Sequence, residues 1–280
     1  MKHKIRLGIS TCPNDTFTFH ALMNRCVDWR GIDFEISLLD IQQLNDRLFS
    51  GGFDIAKASF HAALHLADRM IVLPCGSALG FGNGPLLLSA RAGDAPERPE
   101  QLTLCPGRYT TAAMLYALFY PHCTQVAHCV FSDIMPRLKS HTADFGVCIH
   151  EGRFTWQAQG LGLVEDLGSR WETATQQPLP LGGLIADRRL LGPVIKDAKN
   201  VIRDSLDWAL ANPNAALPSM RKYAQEFDDA VLMRHVDLYV NEWTRELGDV
   251  GRDSLRCLCQ MARSIGLVDG KVGDLEVSRS

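Results

Sequence analysis

The chain has 280 residues, a formal net charge of −3, and 22% charged residues against 46% hydrophobic ones. That balance belongs to a globular protein with a sizeable core and excludes a disordered chain. A length of this order favours two domains over one, and the absence of any Lys/Arg-rich run removes the electrostatic footprint of a nucleic-acid binder.

Residues 1–10 (MKHKIRLGIS) alternate charged with apolar positions and lack the apolar core of a signal peptide. No later run approaches the ~18 apolar residues of a membrane span. The expectation is therefore a cytoplasmic protein with no membrane partner. Nine cysteines invite a disulfide framework, yet Cys105, Cys129 and Cys148 sit in apolar, strand-like contexts and no Cys-x-x-Cys pair occurs. Reduced, mostly buried thiols are the better reading.

Along the chain, short apolar runs alternate with segments of helical period, the pattern of a parallel α/β protein. Residues 5–10 read as a first strand, and Asn14 or Asp15 can cap a helix carrying Phe17, Phe19, Ala21 and Leu22. A second strand over 33–39 leads through a short helix around Leu44 and Leu48 to a third over 53–58. That strand runs into a helix over 61–68. Further strands over 70–74 and 85–89 are joined by the glycine-laden turn 80–84. The polar, Pro-containing stretch 90–101 marks a domain crossover near its start. A second α/β unit follows: strand 102–105, helix 110–120, strand 125–131, helix 133–140 and strand 144–149. Residues 178–186 (PLPLGGLIA) read as a return crossover into the first sheet. Beyond Pro193 helical periodicity dominates, over 194–212, 214–225, 228–244 and 252–265.

The predicted organisation is a larger α/β domain of residues 1–90 plus 186–280, with a smaller α/β domain of residues 91–185 inserted into it. Two crossovers between two lobes make a clamshell, and a small-molecule ligand is expected in the cleft.

Residues 144–156 (DFGVCIHEGRFTW) carry the strongest chemical signal. An apolar strand ends on His150 and Glu151, at the carboxyl edge where α/β sheets collect ligands. A histidine launched there can exchange protons near neutral pH without a large pKa shift. The competing reading is a histidine that only caps the strand. Glu151 is expected to point away, since consecutive strand residues face opposite sides. Residues 106–112 (PGRYTTA) lie between a strand and a helix. Gly107 permits a sharp turn, and Thr110 or Thr111 sets a hydroxyl beside free N–H groups, a combination that binds anions. Ordinary threonine capping competes with that reading.

Lys57-Ala-Ser59 closes the third strand and gives a second polar edge, against the alternative of a buried lysine stem with a solvated head. In residues 10–15 (STCPND) the Asn and Asp serve more often as caps than as ligands. The turn 80–84 lacks the spacing of a dinucleotide fingerprint. Phe154, Trp156 and Trp171 read as core. His61 and His65 lie one helical turn apart, but no Glu follows His61 and the other histidines show no ligand spacing. No metal site is expected.

Together these segments resemble the 1,4-dihydroxy-6-naphthoate synthase family of the futalosine route to menaquinone. The matching stretches are 10–19 (STCPNDTFTF), 57–59 (KAS), 82–86 (GNGPL), 106–112 (PGRYTTA), 150–155 (HEGRFT), 166–168 (DLG) with Trp171-Glu172, and 178–182 (PLPLG). They stand in the family's order and cover roughly residues 5–186. The resemblance implies a periplasmic-binding-protein-like (type II) α/β fold. It also implies a carbon–carbon lyase that converts cyclic dehypoxanthine futalosine to 1,4-dihydroxy-6-naphthoate without metal or organic cofactor. The family's proton acceptor falls on His150, and its substrate contacts fall on Lys57, Ala58, Ser59, Thr111 and Ala112. Trp156 stands where many relatives have tyrosine. The implied partner is a small-molecule carboxylate, and a homodimer is left open. Two alternatives stay open as well: the chorismate dehydratase of the same pathway, and a non-catalytic small-molecule binding protein.

Overall fold

The structure is a computed structural model that describes residues 3–150, 152–224, 228–269 and 273–279. Strands β1 (His3–Ser10), β2 (Ile32–Leu39), β3 (Ile55–Ser59), β4 (Met70–Val72) and β5 (Ala78–Gly80) build a first sheet. Strands β6 (Leu86–Ser89), β7 (Leu102–Cys105), β8 (Gln125–His128), β9 (Phe145–Cys148) and β10 (Gly162–Asp166) build a second. Strand β11 (Leu179–Asp187) then returns to the first. The first sheet has the order β2-β1-β3-β11-β4, with β5 also on β11, and the second has β10-β6-β9-β7-β8.

Strands connected through helices run parallel, as β1 does with β2 and β3, and β7 with β8 and β9. The two strands that arrive by direct crossover run antiparallel: β6 against β9 and β10, and β11 against β3, β4 and β5. Both sheets are therefore mixed rather than purely parallel. The expected boundaries also shift. Residues 86–89 pair with the second sheet, Leu86 opposite Cys148 and Ser89 opposite Phe145. Residues 179–187 pair with the first, Gly182 opposite Ser59 and Ala186 opposite Ile55. The crossovers at 90/91 and 185/186 thus move back to the turns before Leu86 and Leu179, because each strand hydrogen-bonds into the sheet it enters.

On one side of the first sheet, Ile5, Leu7 and Ile9 pack with Val194, Ala198, Val201 and Ile202 of the long helix Gly192–Ala211. On the other, Ala56 and Ala58 pack with Leu44, Leu48, Phe60 and the helix Gly248–Ser264. The latter cluster continues into the second lobe through Met114, Leu115, Phe145 and the fully buried Trp171. The predicted helix 228–244 divides into Asp229–Tyr239 and Glu242–Arg245, because Asn241 forms a capping box with Thr244 and starts a new helix. No helix among the described residues is long and apolar enough to cross a membrane.

Candidate functional site

A cleft open to solvent runs between the lobes. Its walls come from the end of β1 (Ser10, Cys12), the end of β3 (Lys57, Ser59), the start of the helix Thr111–Phe119 and the segment after β9 (Ile149, His150). Leu181 and Gly182 of β11 close one side, and His235 and Tyr239 of the helix Asp229–Tyr239 another.

His150 leaves β9 with φ +56°, in the left-handed region. Histidine is among the few non-glycine residues enriched there, and surrounding contacts must hold such a residue in place. Here those contacts run through Arg153. Its backbone N–H donates to His150 O at 3.2 Å, while its guanidinium donates to Gly84 O at 2.7 Å and Asp166 Oδ2 at 2.6 Å. The His150 ring is half-buried, meets Phe131 edge-on at 4.7 Å and contacts Cys12 Sγ through Nε2 at 3.3 Å. Burial, with the charge of Lys57 adding to it, pushes its pKa down to about 4. The expected near-neutral imidazole is thus corrected: loss of water and a nearby cation hold the ring unprotonated at pH 7. Glu151 lies outside the described residues.

The opposite wall is rich in donors. Thr110 caps the helix Thr111–Phe119 by accepting the Ala113 N–H at 3.2 Å. The N–H groups of Thr111 and Ala112 belong to the first turn, where no intrahelical partner exists. The Thr111 hydroxyl donates to Leu181 O at 2.6 Å, so the second lobe is tied to a strand of the first sheet at the cleft floor. Ser59 Oγ accepts from Asn45 Nδ2 at 3.2 Å, leaving its own proton for a ligand.

Lys57 and Ser59 share one face of β3 and line the cleft; Ala58, between them, points into the core instead. The head of Lys57 is not solvated. Its Nζ is buried and donates to Asp15 Oδ1 and to Gly76 O, both at 2.8 Å. Asp15 is correspondingly not a cap: the helix Pro13–Thr18 starts after Cys12, and Asn14 and Asp15 are buried within it. Burial holds the Asp15 carboxyl above its usual range, with the Lys57 charge and hydrogen bond opposing.

A polar chain unseen in the sequence completes the site. His235 Nε2 meets Asn14 Oδ1 at 3.1 Å, Asn14 Nδ2 donates to Asp15 Oδ1 at 3.0 Å, and Asp15 holds Lys57. His235 has no exposed surface, stacks near Tyr239 with ring centres 4.3 Å apart, and lies 6.2 Å from His150. Burial, then His150, lowers its pKa well below the ordinary value. In the sequence Asn14 and Asp15 resemble ordinary caps, set among Ser10, Thr11, Thr16 and Thr18. Nothing marked His235. Among the described residues no group of three His, Cys, Asp or Glu could hold a metal ion. His61 is instead bound through Nδ1 to Thr110 O at 3.2 Å, beneath the turn that starts the helix Thr111–Phe119.

A family model for menaquinone biosynthesis matches residues 5–264. The chain belongs to the menaquinone-biosynthesis family. Within it, a 1,4-dihydroxy-6-naphthoate synthase of Streptomyces coelicolor is 36% identical over 269 residues, 94% of each chain. A synthase of the same name from Thermus thermophilus is 37% identical over 263 residues, covering 94% of this chain and 95% of its own. A solved structure from Archaeoglobus fulgidus superposes with a TM-score of 0.89 at 30% identity, over 95% of this chain and 99% of that one. An alkanesulfonate-binding protein from Xanthomonas axonopodis bound to MOPS superposes at 0.73 with 12% identity, over 99% and 98% of the two chains. This last likeness shows the binding-protein fold alone. Membership of the menaquinone-biosynthesis family makes this two-lobed chain a biosynthetic enzyme.

Proposed function

We propose that the enzyme is a carbon–carbon lyase converting cyclic dehypoxanthine futalosine to 1,4-dihydroxy-6-naphthoate, with His150 as proton acceptor and no cofactor. The reading is carried by one observation: the His150 imidazole lines the same cleft as the Ser59 hydroxyl and the first-turn N–H groups of Thr111 and Ala112. The substrate carboxylate sits against the Ser59 hydroxyl and the N–H groups of Thr111 and Ala112, where the helix start favours negative charge. The ring system then extends toward His150. Formation of the aromatic naphthalene is strongly downhill, so the protein mainly has to hold the acid and remove a proton.

A base of pKa about 4 is weak in the empty cleft. A bound carboxylate offsets the charge of Lys57 and strengthens the base only when there is something to deprotonate. A positioned general base contributes about 10²–10⁴-fold. In the test, His150→Asn is preferred to alanine because asparagine tolerates the left-handed backbone. Turnover to the naphthoate is expected to fall by at least about 10²-fold, with the circular-dichroism spectrum and substrate binding retained. Undiminished turnover would discard the role, and product formed from chorismate instead would transfer the enzyme to the dehydratase reaction.

A further inference from the structure

Cys12 stands immediately before the helix Pro13–Thr18 and is only 9% exposed. Its sulfur accepts the Ser10 hydroxyl proton at 2.6 Å and lies 3.3 Å from His150 Nε2. Ser10 is itself fixed, with Oγ accepting the Cys12 N–H at 3.0 Å. A neutral imidazole carries one proton, and that proton decides which nitrogen can act as a base. If the thiol donates to Nε2, the hydrogen sits on Nδ1 and the ring offers the substrate no lone pair. If Nε2–H donates to sulfur, the lone pair is on Nδ1. His150 Nδ1 has no hydrogen-bond partner among the described residues, so it is the nitrogen left for a ligand.

We propose that Cys12 is the positioning residue of His150. Its sulfur accepts the Nε2–H, fixes the tautomer with the Nδ1 lone pair open to the cleft, and supports the imidazolium formed once a substrate proton arrives. Sulfur suits this task because two donors, the Ser10 hydroxyl and the imidazole N–H, converge on it. The proton moves from substrate carbon to Nδ1, the Nε2 proton stays in place, and no bond forms or breaks at Cys12. The catalytic half of this inference rests on His150 being the proton acceptor; the tautomer half does not.

The experiment separates the two. Protein labelled with ¹⁵N-histidine is examined without ligand, the His150 resonances being assigned by their loss in His150→Asn. The wild type is expected to carry hydrogen on Nε2 and none on Nδ1, and Cys12→Ala to show both tautomers. In steady-state assays Cys12→Ala should lower kcat by roughly ten- to a hundredfold, a share of what a general base supplies, with KM changed less than about twofold. Cys12→Ser, whose hydroxyl still accepts a hydrogen bond, should restore the tautomer and part of kcat, and it carries the test if the alanine variant does not fold. Hydrogen on Nδ1 in the wild type, or a Cys12→Ala enzyme with wild-type tautomer and kcat, overturns the proposal. Full turnover by His150→Asn removes the base reading and with it the catalytic half, while the spectrum still decides whether Cys12 orients the ring.

Discussion

At position 150 two effects act in the same direction, since removal from water and the Lys57 ammonium both disfavour the imidazolium. The acid limb of kcat/KM reports groups of the free enzyme. The limb due to His150 is therefore expected near pH 4, and a limb at the ordinary value of 6.5 would contradict the electrostatics. Lys57 cannot be removed alone without consequence. Lys57→Met strands the buried Asp15 carboxylate, and breaking a buried pair costs about 3–5 kcal/mol. The double variant Lys57→Met/Asp15→Asn leaves no stranded charge and should recover most of that loss in urea unfolding. Its kcat/KM limb should also move upward from about 4, because the cation that depresses His150 is gone. Simple addition of the two single effects on stability would show that the pair is not coupled.

The loop bearing His150 depends on how two backbone segments approach one another. A Cβ on Gly84 would come within 2.3 Å of Gly168 Cα, and one on Gly168 within 2.6 Å of Gly84 Cα. Neither neighbour is a flexible side-chain end, so the backbone itself must shift. Gly84 O also receives Arg153, and Asp166, the other partner of Arg153, caps the helix Leu167–Thr175 through the Gly168 and Ser169 N–H groups. Gly84→Ala is thus expected to destabilise by about 1–3 kcal/mol, the range for overpacking, and to lower kcat because the displaced carbonyl loosens the His150 loop. Retained stability and activity in a thermal melt and a turnover assay would contradict this. At this scale the sequence reveals elements but not partners. Strands 5–10 and 33–39 were legible because apolar side chains alternate or run together in them. The return of 178–186 to the first sheet was legible too, but that 86–89 joins the second was not, since pairing is a long-range choice that an apolar run does not encode. Strand Gly162–Asp166 was not legible because its apolar stretch, Leu163 and Val164, is short, ends in Glu165 and Asp166, and is half-exposed. The site shows the same division. Lys57, Ser59, Thr111, Ala112 and His150 stand at strand ends or a helix start and could be found there. Asn14 and Asp15 resemble ordinary caps, and His235 is one histidine in a helix, joined to the cleft only by folding.

Across the whole molecule the seam between the lobes is built around histidines kept neutral. His61 lies under the Thr110 turn, while His150 and His235 line the cleft beside it. Burial is the first cause in each case, taking His61 and His150 down to about 4 and His235 well below 6.5. In the unfolded chain all three return to about 6.5. Between the two values the unfolded state binds more protons than the folded state, so stability rises with pH through that window. Acidification from pH 6.5 toward 4 therefore removes stability. For the buried His61 alone the full effect is on the order of 3 kcal/mol, from 1.36 kcal/mol per pKa unit. The urea midpoint is expected to fall steadily from pH 7 to pH 4.5 and to fall less in His61→Gln, which has no proton to take up. Because the three rings sit where the lobes meet, tryptophan fluorescence and activity should report loosening of the cleft on the acid side before the helices are lost to circular dichroism. A urea midpoint independent of pH between 6.5 and 4.5 would mean that these imidazoles meet water in the folded protein, against the burial that defines the seam.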